Sequence, residues 1–295
     1  MKTVIAHRGA SGYLPEHTLA AHAMAHAMGA DYLEPDLVMT RDGVLIVLHD
    51  IDLGATTDVA EHFPDRRDKK GRWCPADFDL AEIRRLQARE RLDGRFRRDS
   101  RGFQIPTFEE LLQLLTELNR LTGRNTGIYP ETKHPAFHRE RGLAMEEPLL
   151  AMLAEYGYVR RSDPVCIQSF DPHNLRHIRE NLDSDLTLIQ LLSEAPATSR
   201  LDEIAGFADG IGPDKRLIED AQRRPVNNNA LVRDAHARGL VVHPYTFRAD
   251  QLTAGDNCLE DELRRFYLDY GVDGLFCDHP DIASRIAHDP LATRE

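Results

Sequence analysis

The chain has 295 residues, 41% of them hydrophobic and 29% charged, which suits one sizeable core in a soluble, globular protein. No apolar run approaches the ~20 residues of a membrane-spanning helix. The net charge of −12 and the lack of any recognition module exclude duplex nucleic acid as a partner.

Val4-Ile5-Ala6 reads as a buried strand running into His7-Arg8-Gly9. A helix is expected after Pro15, with Glu16 in its first turn and Gly29 closing it. A second short strand leads into Glu34 and Asp36, which are two apart and so project from one face. Arg41-Asp42-Gly43 makes a turn, and a third strand over 44–48 delivers His49 and Asp50. Residues 51–104 then break the rhythm and read as an insertion. Between 66 and 101 Lys and Arg outnumber Asp and Glu. This stretch is either a solvated excursion, with helical spacing over 80–92, or a cap that steers an anionic substrate.

Regular alternation resumes at Thr107-x-x-Glu110, a capping box before the helical stripe Leu111, Leu114, Leu115 and Leu118. A strand over 127–130 carries Glu131 and Lys133, again on one face, and a helix is expected over 140–156. Strands over 165–170, 186–192, 208–213, 240–247 and 272–277 follow. Helices over 171–181, near Leu201, over 229–238 and over 259–270 separate them, and Asp278-His279-Pro280 lies beyond the last strand. There are about nine strand candidates for eight barrel places, so one arm flanking the 41–43 turn belongs to a hairpin. The expected fold is α/β, a (β/α)8 TIM barrel forming a single domain over 1–295, with the insertion after the third motif strand. Four cysteines, Cys74, Cys166, Cys258 and Cys277, show no metal-ligand spacing. Cys166 and Cys277 are expected in the core, and no disulfide is indicated.

A barrel gathers the C-terminal ends of its strands on one face, where ligands bind. His7, Arg8, Glu34, Asp36, His49, Glu131, Lys133, Gln168 and Tyr245 all fall at or just past such ends. Carboxylates sharing a face repel unless a cation compensates, and oxygen-only donors suit Mg²⁺ or Ca²⁺. With two imidazoles to move protons and Arg and Lys to hold oxygens, the set suits phosphodiester hydrolysis. Singly, Glu34 and Asp36 could be solvated strand-end charges, and Arg8 could pair structurally with Glu16 or Asp50. Gln168 and Tyr245 could serve packing as well as substrate contact. His22-x-x-x-His26 lacks the Glu of a zinc motif and reads as helix surface or packing. His134 and His138 follow the Glu131 strand and could edge the pocket.

The ordered set H-R-G, P-E-x-T, G-A-D-Y-x-E-x-D, T-x-D-G and V-x-H-D resembles the glycerophosphodiester phosphodiesterase family. P-E-H-T, F-P-D-R, G-I-Y-P-E, A-D-G-I-G-P-D and V-V-H-P-Y-T-F-R are similar to its periplasmic bacterial branch. The resemblance spans position 4 to about 283. It implies a TIM barrel that hydrolyses glycerophosphodiesters, such as glycerophosphocholine or glycerophosphoethanolamine, to sn-glycerol 3-phosphate and an alcohol. It further implies Glu34, Asp36 and Glu131 as ligands of a divalent cation, Ca²⁺ in preference to Mg²⁺, and His7 and His49 as the acid/base pair. Arg8 and Lys133 match the family's phosphate contacts. One departure is the absence of an Arg that usually follows V-x-H-D; here the run is Leu53-Gly54-Ala55-Thr56-Thr57. The alternatives are a phospholipase-type barrel acting on a lipid phosphodiester and a non-catalytic phosphodiester-binding module. A first strand so near Met1 leads to the expectation of no signal peptide, and so of a cytoplasmic protein, or a periplasmic one if a leader has been removed.

Overall fold

The apolar runs become strands β1 (Thr3–His7), β2 (Tyr32–Glu34), β3 (Asp36–Met39), β4 (Leu45–Val47), β5 (Gly127–Ile128), β6 (Glu131–Thr132), β7 (Cys166–Ser169), β8 (Thr187–Leu192), β9 (Gly210–Pro213), β10 (Val241–Val242) and β11 (Gly274–Cys277). The computed structural model describes residues 2–92, 94–95 and 102–289. Two staves are interrupted at a proline, which has no N–H for a ladder. Pro35 separates β2 from β3, and Pro130 lies between β5 and β6. The ladder still crosses both breaks, with Tyr129 N–H donating to the Leu33 carbonyl at 2.8 Å and Glu131 N–H to that of Pro35 at 2.9 Å.

With each interrupted pair taken as one stave, eight parallel staves close into a TIM barrel. β11 lies against β1 with Phe276 opposite Ile5, and a parallel bridge between Phe247 and Cys277 joins the β10 side to β11. β4 runs antiparallel to β3, with Val47 opposite Leu37, and is the hairpin arm outside the barrel. Ile5, Tyr129, Cys166, Ile189 and Phe276 fill the interior. A larger apolar layer that includes Leu33, Leu111, Leu149, Ile178 and Leu263 lies between staves and helices.

The segment after β4 has a small core of its own. Trp73, Phe78, Ile83 and Leu86 pack on Val38 and Ile46 of the hairpin. Burying each of these side chains contributes about 1.5–3 kcal/mol, which ties the insertion to the barrel. It is therefore not a solvated excursion. Arg97, Arg98 and Arg101 of its basic stretch lie outside the described residues.

Several helices differ from expectation for local reasons. The first spans Leu19–Ala27, capped by Thr18, because His17 at φ 66° cannot enter a right-handed helix. Gly29, at φ 94°, does close it: Ala30 N–H reaches back to the Ala25 carbonyl and Gly29 N–H to that of His26. Over 80–92 only Leu80–Ile83 is helical, since the chain then pairs Arg89 N–H with the Thr56 carbonyl and Ala88 N–H with that of Phe103. The helix expected over 140–156 is two, Pro135–Arg139 and Glu146–Glu155, with Gly142 at φ 71° between them. Regular pairing over 240–247 is confined to Val241–Val242, followed by isolated bridges at Tyr245 and Phe247. The Thr107–Glu110 capping box opens the helix Phe108–Thr122 as expected. All four cysteines are free, with Cys166 and Cys277 buried.

Candidate active site

β1 ends at His7, and the chain turns at once through two left-handed residues, Arg8 at φ 57° and Gly9 at φ 80°. A Cβ on Gly9 would lie 2.7 Å from the backbone of Ala21, so only glycine lets the turn sit on the first helix. The turn aims Arg8 at the carboxylates. Its N–H donates to Glu34 Oε2 at 2.8 Å and its Nη1 to Glu16 Oε1 at 3.1 Å, while Nε lies 3.2 Å from Asp36 Oδ2. Glu16 thus precedes the helix and orients Arg8.

Glu34 closes β2, Asp36 opens β3 and Glu131 opens β6 opposite it. The three are buried, and one oxygen from each lies within 4.8 Å of the others. So close a set cannot ionise fully on its own. Burial, reinforced by Asp36 and Glu131, raises the Glu34 carboxyl well above its ordinary range. Burial also pushes Glu131 up to about 8, against the pull of Lys133 and with the Asp36 charge adding. Burial works on Asp36 in the same direction, but Lys133, His49 and Arg8 hold it well below the usual carboxylate range. The neighbours fix the geometry: His17 Nε2 lies 2.8 Å from Asp36 Oδ2, Lys133 Nζ lies 2.7 Å from Glu131 Oε1, and Gln168 Nε2 donates to Glu34 Oε1 at 2.9 Å. Gln168 Oε1 is buried without a protein partner. Buried oxygen donors beside an unused amide oxygen fit a hard divalent cation.

Each candidate histidine is anchored through Nδ1. His7 Nδ1 lies 2.7 Å from Asp278 Oδ1, and His49 Nδ1 lies 2.6 Å from Asp50 Oδ1. A carboxylate at Nδ1 assigns the proton there and leaves Nε2 as an acceptor. For His49 this agrees with the Lys133 ammonium, a donor only, 3.3 Å from Nε2. Burial first, then the Arg8 charge, pulls His7 down to about 3 despite Asp278, so its imidazole is neutral. Asp278 is itself buried, which would raise it, yet His7, Arg248 and Arg95 hold its carboxyl well below the ordinary range.

These groups open on a cavity of about 450 Å³. His7, Arg8, Glu34, His49, Glu131, Lys133, Gln168 and Tyr245 line it, and Asp36 sits behind them. The Tyr245 hydroxyl donates to the Leu192 carbonyl at 3.1 Å, and its ring meets Phe170 edge-on at 5.9 Å. His134 and His138 do not line this cavity, contrary to expectation. His134 opens the helix Pro135–Arg139 with its side chain exposed, and His138 is buried on that helix. His22 and His26 are packed inside the first helix, His26 against Asn119. Ala55, where the family's Arg would stand, is exposed and does not line the cavity. A second carboxylate group, Glu219, Asp256 and Glu262, is matched charge for charge by Lys215, Arg265 and Arg223.

Asp278, His17 and Arg248 were not singled out from the sequence. Asp278 had a usable signal: a closed barrel seats its last stave against the first, so the residue after β11 meets the residue that ends β1.

The family model for the glycerophosphoryl diester phosphodiesterase family matches residues 7–282. Glycerophosphodiester phosphodiesterase from Haemophilus influenzae is 36% identical, with 95% of this chain and 88% of that protein aligned. The enzyme of that name from Treponema pallidum is 31% identical over 98% of this chain and 92% of its own length. A phosphodiesterase from Oleispira antarctica, solved in complex with the product sn-glycerol-3-phosphate, has the same fold, with a TM-score of 0.70 at 23% identity over 96% of this chain and 95% of that one. With the family match running from His7 at the end of the first stave through the last stave and including both histidine anchors, Asp50 and Asp278, this chain belongs to the glycerophosphoryl diester phosphodiesterase family.

Proposed function

We propose that the chain hydrolyses glycerophosphodiesters, glycerophosphocholine and glycerophosphoethanolamine among them, to sn-glycerol 3-phosphate and an alcohol. The observation that carries this reading is the meeting of two Nδ1-anchored imidazoles and a buried carboxylate triad in one cavity. Glu34, Asp36 and Glu131 would hold a divalent cation, Ca²⁺ or Mg²⁺, with Gln168 Oε1 as a further oxygen donor. Bound there, the ion supplies Lewis-acid stabilisation of the charge that grows on the phosphoryl oxygens. Charge supports the assignment. Three carboxylates face Lys133 and Arg8, a deficit of one positive charge; a divalent ion and a singly charged phosphodiester together bring the site to neutrality.

Arg8 and Lys133 bind the phosphoryl oxygens through charge-assisted hydrogen bonds. Their own anchors, Glu16 and Glu131, keep both side chains extended toward the cavity. His7 and His49 present Nε2 to the cavity; His7, neutral with a bare Nε2, takes the proton of the attacking oxygen, and His49, once it has gained a proton on Nε2, passes that proton to the leaving alkoxide. Phe170 and Tyr245 form an aromatic wall for the alcohol portion.

The test is sn-glycerol 3-phosphate release from glycerophosphocholine by the parent, His7→Ala and His49→Ala proteins. A loss of about 10²–10⁴-fold in kcat is expected for each variant. Turnover within tenfold of the parent in either one overturns the acid/base assignment, and no turnover of any glycerophosphodiester by the parent overturns the reaction.

A further inference from the structure

Two arginines of the insertion, Arg91 and Arg95, stand four residues apart beside the cavity without lining it. Arg91 Nε lies 2.9 Å from Glu16 Oε2, and its Nη1 lies 3.5 Å from Asp50 Oδ2. Arg95 Nη2 lies 2.6 Å from Asp278 Oδ2; its Nε donates to Asp250 Oδ2 at 2.6 Å and its Nη1 to the Ser11 carbonyl at 3.0 Å. The Arg95 side chain is only 5% exposed and its contact with Asp278 is interior, while Asp250 stands at the surface.

The pairing follows a pattern. Asp278 gives Oδ1 to His7 and Oδ2 to Arg95, while Asp50 gives Oδ1 to His49 and Oδ2 to Arg91. A carboxylate held on both oxygens cannot rotate about its terminal bond, so the imidazole it anchors keeps one ring orientation. Held on one oxygen, it can turn and let the ring swing Nε2 off its target. A basic stretch meant to steer an anionic substrate would keep these guanidinium groups at the cavity wall, and here they are committed to carboxylates behind it.

We infer that Arg91 and Arg95 are positioning residues and that the insertion straps both histidine-orienting carboxylates at once. The inference rests on the assignment of His7 and His49 as the proton-transfer pair. Arg248 Nε also reaches Asp278 Oδ2, at 2.9 Å, so loss of Arg95 weakens the anchor without abolishing it. The effect is therefore smaller than loss of Asp278 itself, on the order of tenfold. Arg91 acts on two targets, since Glu16 also orients Arg8.

The experiment measures kcat and KM for glycerophosphocholine in Arg95→Met, Arg95→Ala, Arg95→Lys and Arg91→Met, with thermal unfolding of each. Arg95→Met is expected to lower kcat on the order of tenfold with KM within about threefold of the parent. Millimolar guanidinium is expected to restore part of kcat to Arg95→Ala, and lysine part of it in Arg95→Lys. Arg91→Met is expected to lower kcat and raise KM together. Unchanged kcat, a change confined to KM, or a loss that tracks Tm and yields to neither guanidinium nor lysine overturns the inference. His7→Ala and His49→Ala run alongside separate the two failures. If they keep turnover, the proton-transfer reading falls and takes the strap with it; if they are inactive while the arginine variants keep the parent's kcat, the strap alone is wrong.

Discussion

Replacing Asp278 with Asn removes one charge and almost no volume from a residue that is 1% exposed. Its Oδ2 accepts from Arg95 at 2.6 Å and from Arg248 at 2.9 Å, and its Oδ1 faces His7 Nδ1 at 2.7 Å. The two guanidinium groups only donate, so the amide introduced by Asp278→Asn must turn its oxygen toward them and its NH₂ toward His7. His7 can then meet that NH₂ only with a bare Nδ1, which moves its proton to Nε2. The atom facing the cavity becomes a donor where an acceptor is required. A wrong-tautomer histidine with intact geometry costs on the order of 10³–10⁴ in kcat, or about 4–5 kcal/mol in the barrier. Stability falls less, by about 1–3 kcal/mol, because Arg95 keeps Asp250 and Arg248 keeps Gln251. The assay is steady-state sn-glycerol 3-phosphate release at saturating glycerophosphocholine, with a thermal melt to certify the fold. An Asp278→Asn protein that folds and turns over within about fivefold of the parent would refute the tautomer argument.

Three further outcomes follow from the same geometry. Gln168→Leu deletes the donor to Glu34 Oε1 and the neighbouring spare oxygen, so Ca²⁺ affinity by calorimetry should drop about 10–100-fold, and equal affinity would remove Gln168 from the site. His22 is buried with both ring nitrogens unpartnered, and burial pulls it down to about 3. Its folded-state value therefore lies below the free imidazole value of about 6.5; the penalty is absent above pH 6.5 and grows as pH falls toward 3. His22→Leu should leave Tm at pH 7 unchanged or raised and make the acid loss of stability shallower by up to ~1.4 kcal/mol per pH unit, whereas identical slopes would count against it. Tyr245 uses its hydroxyl on the Leu192 carbonyl and its ring on the cavity, so Tyr245→Phe should hold kcat within about threefold while Tyr245→Ala raises KM. A large kcat loss in the Phe variant would mean that the hydroxyl acts in the chemistry.

What the sequence made legible is local. His7, Glu34, Asp36, His49, Glu131 and Lys133 each stand at the end of a short apolar run, and period-two alternation brings such ends to one barrel face. Nine proposed site residues do meet there, with Asp36 held just behind the cavity wall. What escaped is long-range or non-periodic. Asp278 is 271 positions from His7 and reaches it only because the barrel closes. His17 looked like a helical residue, yet its left-handed backbone keeps it out of the helix and lets its ring meet Asp36. The insertion breaks the strand–helix rhythm, so its arginines read either as solvated charge or as a cap steering an anionic substrate. Only the folded chain reveals that Arg91 and Arg95 reach back to carboxylates fixed by other elements.

The central claim is that the buried triad and the paired histidines form one metal-dependent phosphodiesterase centre. Its most direct test is sn-glycerol 3-phosphate release from glycerophosphocholine by chelator-treated protein, before and after Ca²⁺ or Mg²⁺ is restored, with Glu34→Ala as the control. Turnover is expected to vanish on chelation, to return with the ion and to be absent from a folded Glu34→Ala protein. Full turnover in the chelated parent, or in Glu34→Ala without added ion, would contradict that claim.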